Sequence, residues 1–419
     1  MNYLIETMGC QMNVCDSTML DSYLSTYGAL KVNDISNADV VIINTCSVRS
    51  QAEQKAFSYI GRVEKFKQKN PNIRIVVVGC MAELIGLKIQ ERFNSVDLIV
   101  GSKNIDKITS KILHLFGLNN RLKSGEISQK LEIVKYMTIV RGCNNYCSYC
   151  IVPFVRGREE SLDYRVILNK CSVMVKNGTK EIVLLGQNVN SYNYDYVNFT
   201  MLVKKIVMIE NLRRIRFMTN HPKDLSDELI NVIATEAKVC SHVHLPIQSA
   251  SDKVLKAMNR NYSYEQYLGL INKLRKSVPD INITTDIIVG FPSETEMDFE
   301  CTLNAVKSIK FDGLYVFKYS PRPNTKAATM IDNVSLKDKK TRHAIVLEES
   351  NKISTEIVSK MVGSTQEVLV EKVENGVIEA RTRNCRKVFI KNANVDCLGE
   401  QLDVTIVEAK VNSLFGIVT

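Results

Sequence analysis

The chain has 419 residues, 45% hydrophobic and 24% charged, with 55 lysines and arginines against 45 acidic residues. These proportions are typical of a soluble globular protein with two or three domains. No apolar run approaches membrane-spanning length, which excludes a transmembrane class, and the net charge of +10 suggests a polyanionic partner. The opening MNYLIETMGC lacks a secretory signal pattern. We therefore expect a cytoplasmic protein, in which the twelve cysteines do not form a disulfide framework and at least some of them serve metal or redox chemistry.

The first hundred residues repeat a short apolar run, a turn and a helical segment. The apolar runs predict strands at Tyr3–Ile5, Val40–Ile43, Ile73–Val78 and Leu98–Val100. Helices are predicted over Asp16–Tyr27, Ser50–Gln68, Ala82–Phe93 and Ile105–Phe116. Unbroken Val and Ile runs between helices are typical of a buried parallel sheet, so residues 1–117 are predicted to form an open parallel α/β domain.

Three cysteines stand just past three of these runs: Cys10 in MGCQMN, Cys46 in NTCSVR and Cys80 in GCMAE. Parallel sheets carry functional groups at the carboxyl ends of their strands. Thiols about 35 residues apart could therefore meet there, one βα unit per step. Three converging thiolates describe an iron–sulfur cluster with one open iron, and the alternative is three buried structural cysteines. Cys15, in the turn after Cys10, is interpreted as a bystander.

Residues 118–135 are polar and turn-rich and predict a linker. Strands are then predicted at Met137–Val140, Glu181–Leu185, Arg214–Met218, His242–Pro246, Asn282–Val289 and Leu314–Lys318. The helical segments between them are Arg165–Asn177, Thr200–Ile209, Lys223–Ala237, Ser263–Ser277 and Glu294–Ser308. Residues 136–355 are therefore predicted to form a partial (β/α)6 barrel, smaller than a TIM barrel, with its chemistry at the carboxyl ends of the strands.

The first of these strands leads into RGCNNYCSYC (Arg141–Cys150), where Cys143, Cys147 and Cys150 form C-x3-C-x2-C and Tyr149 precedes the last cysteine. Structural zinc needs four ligands, usually from paired C-x2-C units. A 4Fe–4S cluster takes one thiolate per iron, and three cysteines leave one iron open for S-adenosylmethionine. The run resembles the signature of the radical S-adenosylmethionine enzymes. A loop with incidental thiols is the alternative.

Polar and special residues follow several barrel strands. Gln187, Asn188, Gln248 and Ser249 offer neutral hydrogen-bonding groups for the ribose or amino-acid atoms of S-adenosylmethionine. Gly290 and Pro292 would let the backbone approach a flat ring closely. Turns after strands favour such residues in any case, so the prediction rests on their repetition along one rim. His221, His242 and His244 are interpreted as structural.

Residues 359–419 change to alternating apolar and polar residues. Strands are predicted at Gln366–Val373, Val377–Arg383, Lys387–Ile390, Gln401–Ala409 and Gly416–Val418, with Asn375-Gly376 as a hairpin turn. The pattern predicts a small antiparallel β-barrel. A run without acidic residues carries Arg381, Arg383, Arg386, Lys387 and Lys391. It predicts contacts to a nucleic-acid backbone, and the alternative is a solvated charged hairpin.

With these pieces placed, the chain resembles the methylthiotransferases over nearly its whole length. That family combines an N-terminal cluster-binding domain, a central radical domain and a C-terminal TRAM domain, to which the closing GSTQEV…NSLFGIV is similar. GCQMN (Gly9–Asn13), NTCSVR (Asn44–Arg49) and IVPFVRGREES (Ile151–Ser161) resemble the tRNA branch. Two residues depart from the family pattern: Cys15, and Ala250 in place of the glycine in QSGS.

The resemblance implies that Cys10, Cys46 and Cys80 hold one 4Fe–4S cluster, which supplies sulfur. It implies that Cys143, Cys147 and Cys150 hold a second, which binds S-adenosylmethionine and starts radical chemistry. The implied reaction is methylthiolation of C2 of N6-dimethylallyl(isopentenyl)adenosine next to the anticodon.

The implied partners are a tRNA anticodon stem-loop, an electron donor such as flavodoxin or ferredoxin, and a sulfur source. We expect a monomer. Other acceptors are the first alternative: threonylcarbamoyl-adenosine in tRNA, or an aspartate of a ribosomal protein. A non-catalytic iron–sulfur RNA-binding protein is the second.

Overall fold

A computed structural model of the chain describes residues 1–48, 50–116, 131–391 and 397–419. Most of the predicted linker, at 118–130, lies outside the described residues. The chain divides into two compact units. The first contains the described residues of Met1–Lys130 together with Arg141–Asn144 and Cys150–Glu160, and the second contains Leu131–Val140, Asn145–Tyr149 and Ser161–Thr419.

The first unit is built on a five-stranded parallel sheet. Its strands are β1 (Asn2–Thr7), β2 (Leu30–Lys31), β3 (Val40–Thr45), β4 (Arg74–Gly79) and β5 (Leu98–Gly101), in the order β2-β1-β3-β4-β5. Its helices are α1 (Gln11–Thr26), α2 (Ser50–Lys69), α3 (Cys80–Arg92), α4 (Ile108–Leu115) and α5 (Val152–Arg156). Every residue of β3 is buried, as expected for a strand covered on both faces.

The strands of this sheet contribute side chains alternately to two apolar layers. Val41 and Ile43 belong to one layer, and Val40 and Ile42 to the other. This is the open α/β domain that the Val and Ile runs predict. The sequence pattern missed β2, because two residues are too few to show a period. It also started α1 late, because Cys10 rather than a typical capping residue precedes the helix.

The strands between residues 131 and 320 are β6 (Val134–Thr138), β7 (Val140–Arg141), β8 (Glu160–Ser161), β9 (Glu181–Leu185), β10 (Asn193–Tyr194), β11 (Val197–Asn198), β12 (Arg214–Phe217), β13 (His242–His244), β14 (Asn282–Val289) and β15 (Gly313–Lys318). Six of these strands form two parallel sheets of three, in the orders β12-β9-β6 and β13-β14-β15. A bridge between Ile215 and Val239 links β12 to the segment before β13. The predicted partial (β/α)6 barrel is confirmed.

The helices of the second unit are α6 (Tyr164–Lys176), α7 (Phe199–Val207), α8 (Asp227–Thr235), α9 (Asp252–Ala257), α10 (Tyr264–Ser277), α11 (Glu296–Ile309) and α12 (Leu336–Ser359). The sequence pattern missed α12, although it has 24 residues. Its buried face includes Lys339, Arg342 and Ser350, so no apolar stripe marks it. Among the helices that the structure describes, none combines the length and apolar content needed to cross a membrane.

A closed barrel ends the second unit. Its strands are β16 (Thr365–Glu374), β17 (Val377–Thr382), β18 (Lys387–Lys391), β19 (Gln401–Lys410) and β20 (Ser413–Val418), in the order β16-β17-β18-β20-β19. All pairs are antiparallel except β18 with β20. Asn375 and Gly376 both have positive φ, as the predicted hairpin turn requires. The small β-barrel is therefore confirmed, with one parallel pair that the sequence did not predict.

Candidate functional site

Cys10, Cys46 and Cys80, the first triad, lie just past β1, β3 and β4, which are neighbours in the sheet. The structure brings the three thiols together at the carboxyl edge. Cys10 and Cys46 share a hydrogen bond, and Cys80 interacts electrostatically with both. Cys46 and Cys80 are buried and Cys10 is half-buried. Cys15 is half-buried on α1.

Two asparagines fix the backbone beneath the first triad. The Asn13 amide donates to Asn44 Oδ1 at 2.9 Å and to the Thr45 carbonyl at 3.1 Å. The Asn44 amide in turn donates to the Asn13 carbonyl and to Ser17 Oγ, both at 2.9 Å. Asn13 and Asn44 are almost fully buried, so each bond is made out of water, where losing it is costly.

Glycines are required on either side of the Asn13–Asn44 lock, the pair of buried asparagines that hydrogen-bond each other. At Gly79, φ is +99° and a Cβ would lie 2.4 Å from the Thr45 carbonyl oxygen. Only glycine can therefore turn the chain from β4 directly into Cys80. At Gly9, a Cβ would lie 2.5 Å from Asn13 Oδ1 and 2.9 Å from Cys46 Cβ. The glycines of GCQMN and GCMAE thus serve close packing around the triad.

A buried arginine lies beside the first triad. Arg156, the last residue of α5, has a side chain that is 5% exposed, and its Nη2 donates to Asp16 Oδ2 at 3.0 Å. Its guanidinium also hydrogen-bonds the Cys80 thiol. Ile151 and Val155, from the same segment, pack on Cys80. The sequence pattern missed Arg156, because a single arginine in an apolar run gives no spacing signal.

The thiols of the first triad have unequal proton affinities. The hydrogen bond from Cys46 is the main cause that lowers the pKa of Cys10 to about 6, with Arg156 acting in the same direction and burial opposing both. Burial raises the pKa of Cys80, although Arg156 opposes this. The hydrogen bond to Cys10, followed by burial, raises the pKa of Cys46. The site thus favours a thiolate at Cys10, the residue that caps α1.

Cys143, Cys147 and Cys150, the second triad, occupy one loop whose parts are fixed separately. In the first unit, the Cys143 N–H donates to the Gly157 carbonyl at 3.3 Å. Gly142 has a φ of +72°, and a Cβ there would lie 2.0 Å from the Arg158 carbonyl oxygen. The glycine before Cys143 is therefore needed for the turn. Cys143 is buried and Cys150 is half-buried.

In the second unit, residues 257–260 hold the segment that contains Cys147. The Ser148 N–H donates to the Met258 carbonyl at 2.9 Å, and Ser148 Oγ donates to the Ala257 carbonyl at 2.8 Å. Arg260 Nη1 donates to Cys147 Sγ at 3.5 Å. Arg260 is buried and was not predicted, since it lies more than a hundred residues from the motif.

These thiols do not form a site for a single ion. Within the described ranges, no three His, Cys, Asp or Glu side chains approach closely enough to hold one metal ion. A 4Fe–4S cluster instead takes each thiolate on a different iron, so its ligands are spread around the cluster. Three thiols at one edge, with a buried arginine beside them, fit a cluster better than a zinc ion, which needs four ligands at one point.

The predicted rim residues differ in what their side chains contact. Asn188 Nδ2 donates to Asp224 Oδ2 at 2.7 Å. Gln187 Oε1, Asn188 Oδ1 and Asn220 Oδ1 are buried and have no hydrogen-bond partner within the described residues. Buried acceptors without partners are costly, so they favour a ligand with donor groups at the ends of β9 and β12. Asn220 was missed, although MTNHP marks a strand end.

Gln248 and Ser249 mainly shape a turn. Gln248 has a φ of +69°, and its N–H donates to the Asp286 carbonyl at 2.9 Å. Ser249 Oγ lies 3.3 Å from Thr302 Oγ1 and accepts from the Ser251 N–H at 3.2 Å. Their assignment to S-adenosylmethionine stays a prediction.

The Gly290–Pro292 turn contacts two other elements. The Gly290 N–H donates to Glu294 Oε1 at 2.8 Å, and a Cβ at Gly290 would lie 2.3 Å from Lys339 Cγ of α12. Pro292 is buried, and Phe291 packs in one apolar cluster with Tyr149. The turn therefore meets the aromatic residue of the cysteine motif. Its contact with a ligand stays a prediction.

His221 shows why a strand-end histidine need not be catalytic. Burial lowers its pKa to about 2, with Arg260 and Lys223 acting in the same direction. Its Nδ1 accepts from the Lys223 N–H at 3.3 Å. The ring is therefore neutral and caps a turn.

The basic run of the C-terminal barrel lies near the amino ends of strands β13 and β15 of the (β/α)6 barrel. Arg381 Nε donates to Glu371 Oε1 at 2.6 Å, and Arg386 Nη2 donates to Asp312 Oδ1 at 2.5 Å. Arg383 Nη2 donates to the Val239 carbonyl at 3.0 Å. Lys387 pairs with Glu379, and Lys391 is exposed. These contacts compete with phosphate binding by the arginines, and the assignment of the run to RNA stays a prediction.

Family models match three parts of the chain. The model of the Radical SAM superfamily covers residues 137–306. The model described as Uncharacterized protein family UPF0004 covers residues 2–101. The TRAM domain model covers residues 359–419.

The chain is similar over its whole length to curated proteins called tRNA-2-methylthio-N(6)-dimethylallyladenosine synthase. One from Endomicrobium trichonymphae is 66% identical over 416 residues, which cover 99% of this chain and 99% of that protein. One from Thermodesulfovibrio yellowstonii is 43% identical over 421 residues, which cover 98% and 97%.

Solved structures share the fold at low identity. The radical S-adenosylmethionine methyltransferase TsrM from Kitasatospora setae, with cobalamin and a [4Fe-4S] cluster bound, has a TM-score of 0.57 at 12% identity. The match covers 90% of this chain and 80% of that chain. The cobalamin-dependent S-adenosylmethionine radical enzyme OxsB has a TM-score of 0.53 at 11% identity, covering 83% and 56%.

Proposed function

Because the chain belongs to the family of tRNA-2-methylthio-N(6)-dimethylallyladenosine synthases, we propose that its first triad and its second triad each hold a 4Fe–4S cluster. The enzyme uses S-adenosylmethionine and 4Fe–4S clusters to add a methylthio group to N6-dimethylallyladenosine in tRNA. The observation that carries the proposal is the convergence of Cys10, Cys46 and Cys80 beside a buried arginine.

The aromatic C2–H bond of adenosine resists general acid–base attack, so bound S-adenosylmethionine with its cluster supplies the radical chemistry for this step. The chain's own residues position the reactants. Arg260 holds the Cys147 thiolate with a charge-assisted hydrogen bond. The unpartnered oxygens of Gln187, Asn188 and Asn220 accept from ribose hydroxyls or from the ammonium group of S-adenosylmethionine.

The C-terminal barrel contributes to tRNA binding, and within the basic run we assign that role to Lys391, because Lys387 already pairs with Glu379. Arg381, Arg383 and Arg386 already have acceptors in the second unit, whereas Lys391 is exposed. Lysine contacts to phosphates release counterions, so such binding weakens as salt rises. Replacing Lys391 with Gln should flatten the salt dependence of tRNA binding and leave S-adenosylmethionine cleavage without tRNA unchanged.

The remaining assignments follow from the reaction. We assign the enzyme to the cytoplasm on the basis of its tRNA substrate, and the anticodon stem-loop as the bound element. One-electron chemistry needs an electron donor such as flavodoxin or ferredoxin, and methylthiolation needs a sulfur source. We expect a monomer, which sedimentation of the reconstituted enzyme would test.

The acceptor base is tested by comparing single-turnover rates on one tRNA with and without the prenyl group. The base must leave its stack to reach the site, and burial of the five prenyl carbons, at about 0.8 kcal/mol each, offsets that cost by roughly 2–4 kcal/mol. We therefore expect kcat/KM to be lower by more than about tenfold for unprenylated tRNA. Equal rates contradict the proposal. A preference for threonylcarbamoyl-adenosine, or for a ribosomal-protein aspartate, replaces it with that acceptor.

A second test uses cells. Nucleosides from the tRNA of a strain lacking the gene should retain the prenylated adenosine and lack its 2-methylthio derivative. Complementation should restore the derivative, and complementation with a first-triad Cys→Ala variant should not.

A further inference from the structure

We propose that Arg156 is a positioning residue for the first triad, whose buried cation stabilises negative charge there and raises the reduction potential of the cluster it holds. The inference rests on the cluster assignment proposed above, and gives a role to a residue that is not a ligand. Arg156 ends α5, the short helix that begins just after Cys150, so the segment following the second triad brings its charge to the first.

The contacts of Arg156 are divided between a carboxylate and the thiols. On one side Nη2 donates to Asp16 Oδ2 at 3.0 Å, and on the other the guanidinium hydrogen-bonds Cys80 and interacts electrostatically with Cys10. The Asp16 side chain is fully buried, and it follows Cys10 on α1. Asp16 therefore orients the guanidinium so that it also donates to the Cys80 thiol.

The charges around Asp16 do not balance. Its Oδ2 pairs with Arg156 at 3.0 Å and its Oδ1 lies 3.5 Å from Arg141 Nη1, so one carboxylate faces two guanidinium groups. A buried positive charge without an anion is strongly unfavourable. The Cys80 and Cys10 thiols, which interact with Arg156, can carry the balancing negative charge. The site is therefore arranged for thiolates and for the cluster they bind.

A nearby cation makes it easier to add an electron to an iron–sulfur cluster, since net charge and hydrogen bonds to sulfur tune the potential. The test is a redox titration, followed by electron paramagnetic resonance, of the full chain with Cys143, Cys147 and Cys150 changed to Ala. This background carries only the first cluster. It is compared with Arg156→Gln, Arg156→Lys and Asp16→Asn in the same background, and Arg158→Gln is the matched control, an exposed arginine two positions on.

We expect Arg156→Gln to shift the reduction equilibrium at least about tenfold toward the oxidised cluster, which is 59 mV for a one-electron couple. Arg156→Lys should keep most of the native potential. Asp16→Asn leaves the cation and removes its partner, so the potential should rise. Arg158→Gln should have no effect. The reduction potential should thus fall in Arg156→Gln and rise in Asp16→Asn, and these opposite signs distinguish a charge effect from a merely structural one.

A Gln variant that holds about four irons at the native potential overturns the inference, as does a control that shifts equally. If the Gln variant fails to load iron, Asp16→Asn decides: a raised potential supports the charge role, and an unchanged or lowered potential contradicts it. Failure of the parent background to hold iron is a different result, because it contradicts the cluster assignment itself.

Discussion

The first triad is assembled from the ends of three strands, whereas the second triad lies within ten consecutive residues. Sheet topology, the Asn13–Asn44 lock and two close-packed glycines hold the first. Local turns hold the second, together with two hydrogen bonds to the distant segment 257–260. Ser148 donates to the Ala257 carbonyl, and Arg260 donates to Cys147 Sγ. A dispersed site thus depends on the fold of its whole domain, and a loop site depends on a few specific hydrogen bonds. The variants below separate these two kinds of dependence.

Changing the triads themselves should give the largest effect. Replacing Cys143, Cys147 and Cys150 with Ala should abolish S-adenosylmethionine cleavage, because the site for the open iron is lost. Replacing Cys10, Cys46 and Cys80 with Ala should leave cleavage measurable and eliminate the methylthio product. Anaerobic cleavage assays and nucleoside mass spectrometry measure the two outcomes. Full product from the second variant would show that sulfur does not come through the first triad.

Replacing Arg260, the arginine beside Cys147, should give the next largest effect. Arg260→Met removes the charge-assisted bond to Cys147 Sγ. It also removes the 2.9 Å donor of the Pro246 carbonyl, which keeps the longer bond from the Tyr262 hydroxyl at 3.2 Å. Hydrogen bonds to charged groups are worth about 1.5–3 kcal/mol, so cleavage of S-adenosylmethionine should slow by about tenfold or more. The potential of the first cluster should not change. If the Arg260→Met variant cleaved S-adenosylmethionine at the native rate but had an altered reduction potential at the first cluster, Arg260 would act on the first triad rather than on the second.

How much of this could be read from the sequence differs between the two triads. The loop triad is a local pattern, so its spacing alone predicted its chemistry. The dispersed triad required the strand order, and the Val and Ile runs with their following cysteines were sufficient for that. Arg156 and Arg260 could not be predicted, because their contacts depend on side-chain packing across the fold, whereas Asn220 was missed although its strand end was marked. The basic run could not show that acceptors for Arg383 and Arg386 lie more than seventy residues away.

The lock beneath the first triad should show a smaller effect. Asn44→Ala removes the donors to the Asn13 carbonyl and to Ser17 Oγ and the acceptor of the Asn13 amide. Leaving buried groups unsatisfied costs about 1–3 kcal/mol. We expect the free energy of unfolding to fall by that amount in urea denaturation of the iron-free protein. Iron loading of the first triad should fall with it, while S-adenosylmethionine cleavage continues. An Ala variant with native stability would show that topology alone holds the dispersed site.

The smallest effect should come from the matching position in the loop. Ser148→Ala removes one bond, from Ser148 Oγ to the Ala257 carbonyl at 2.8 Å, and keeps the backbone bond from Ser148 to Met258. One such bond contributes about 0.5–1.5 kcal/mol, so the free energy of unfolding should fall by less than in Asn44→Ala. The change lies next to Cys147, so S-adenosylmethionine cleavage should fall more than stability does. The same denaturation and cleavage assays decide this. A variant that loses stability but no cleavage would show that the loop, too, is held by its surroundings as a whole.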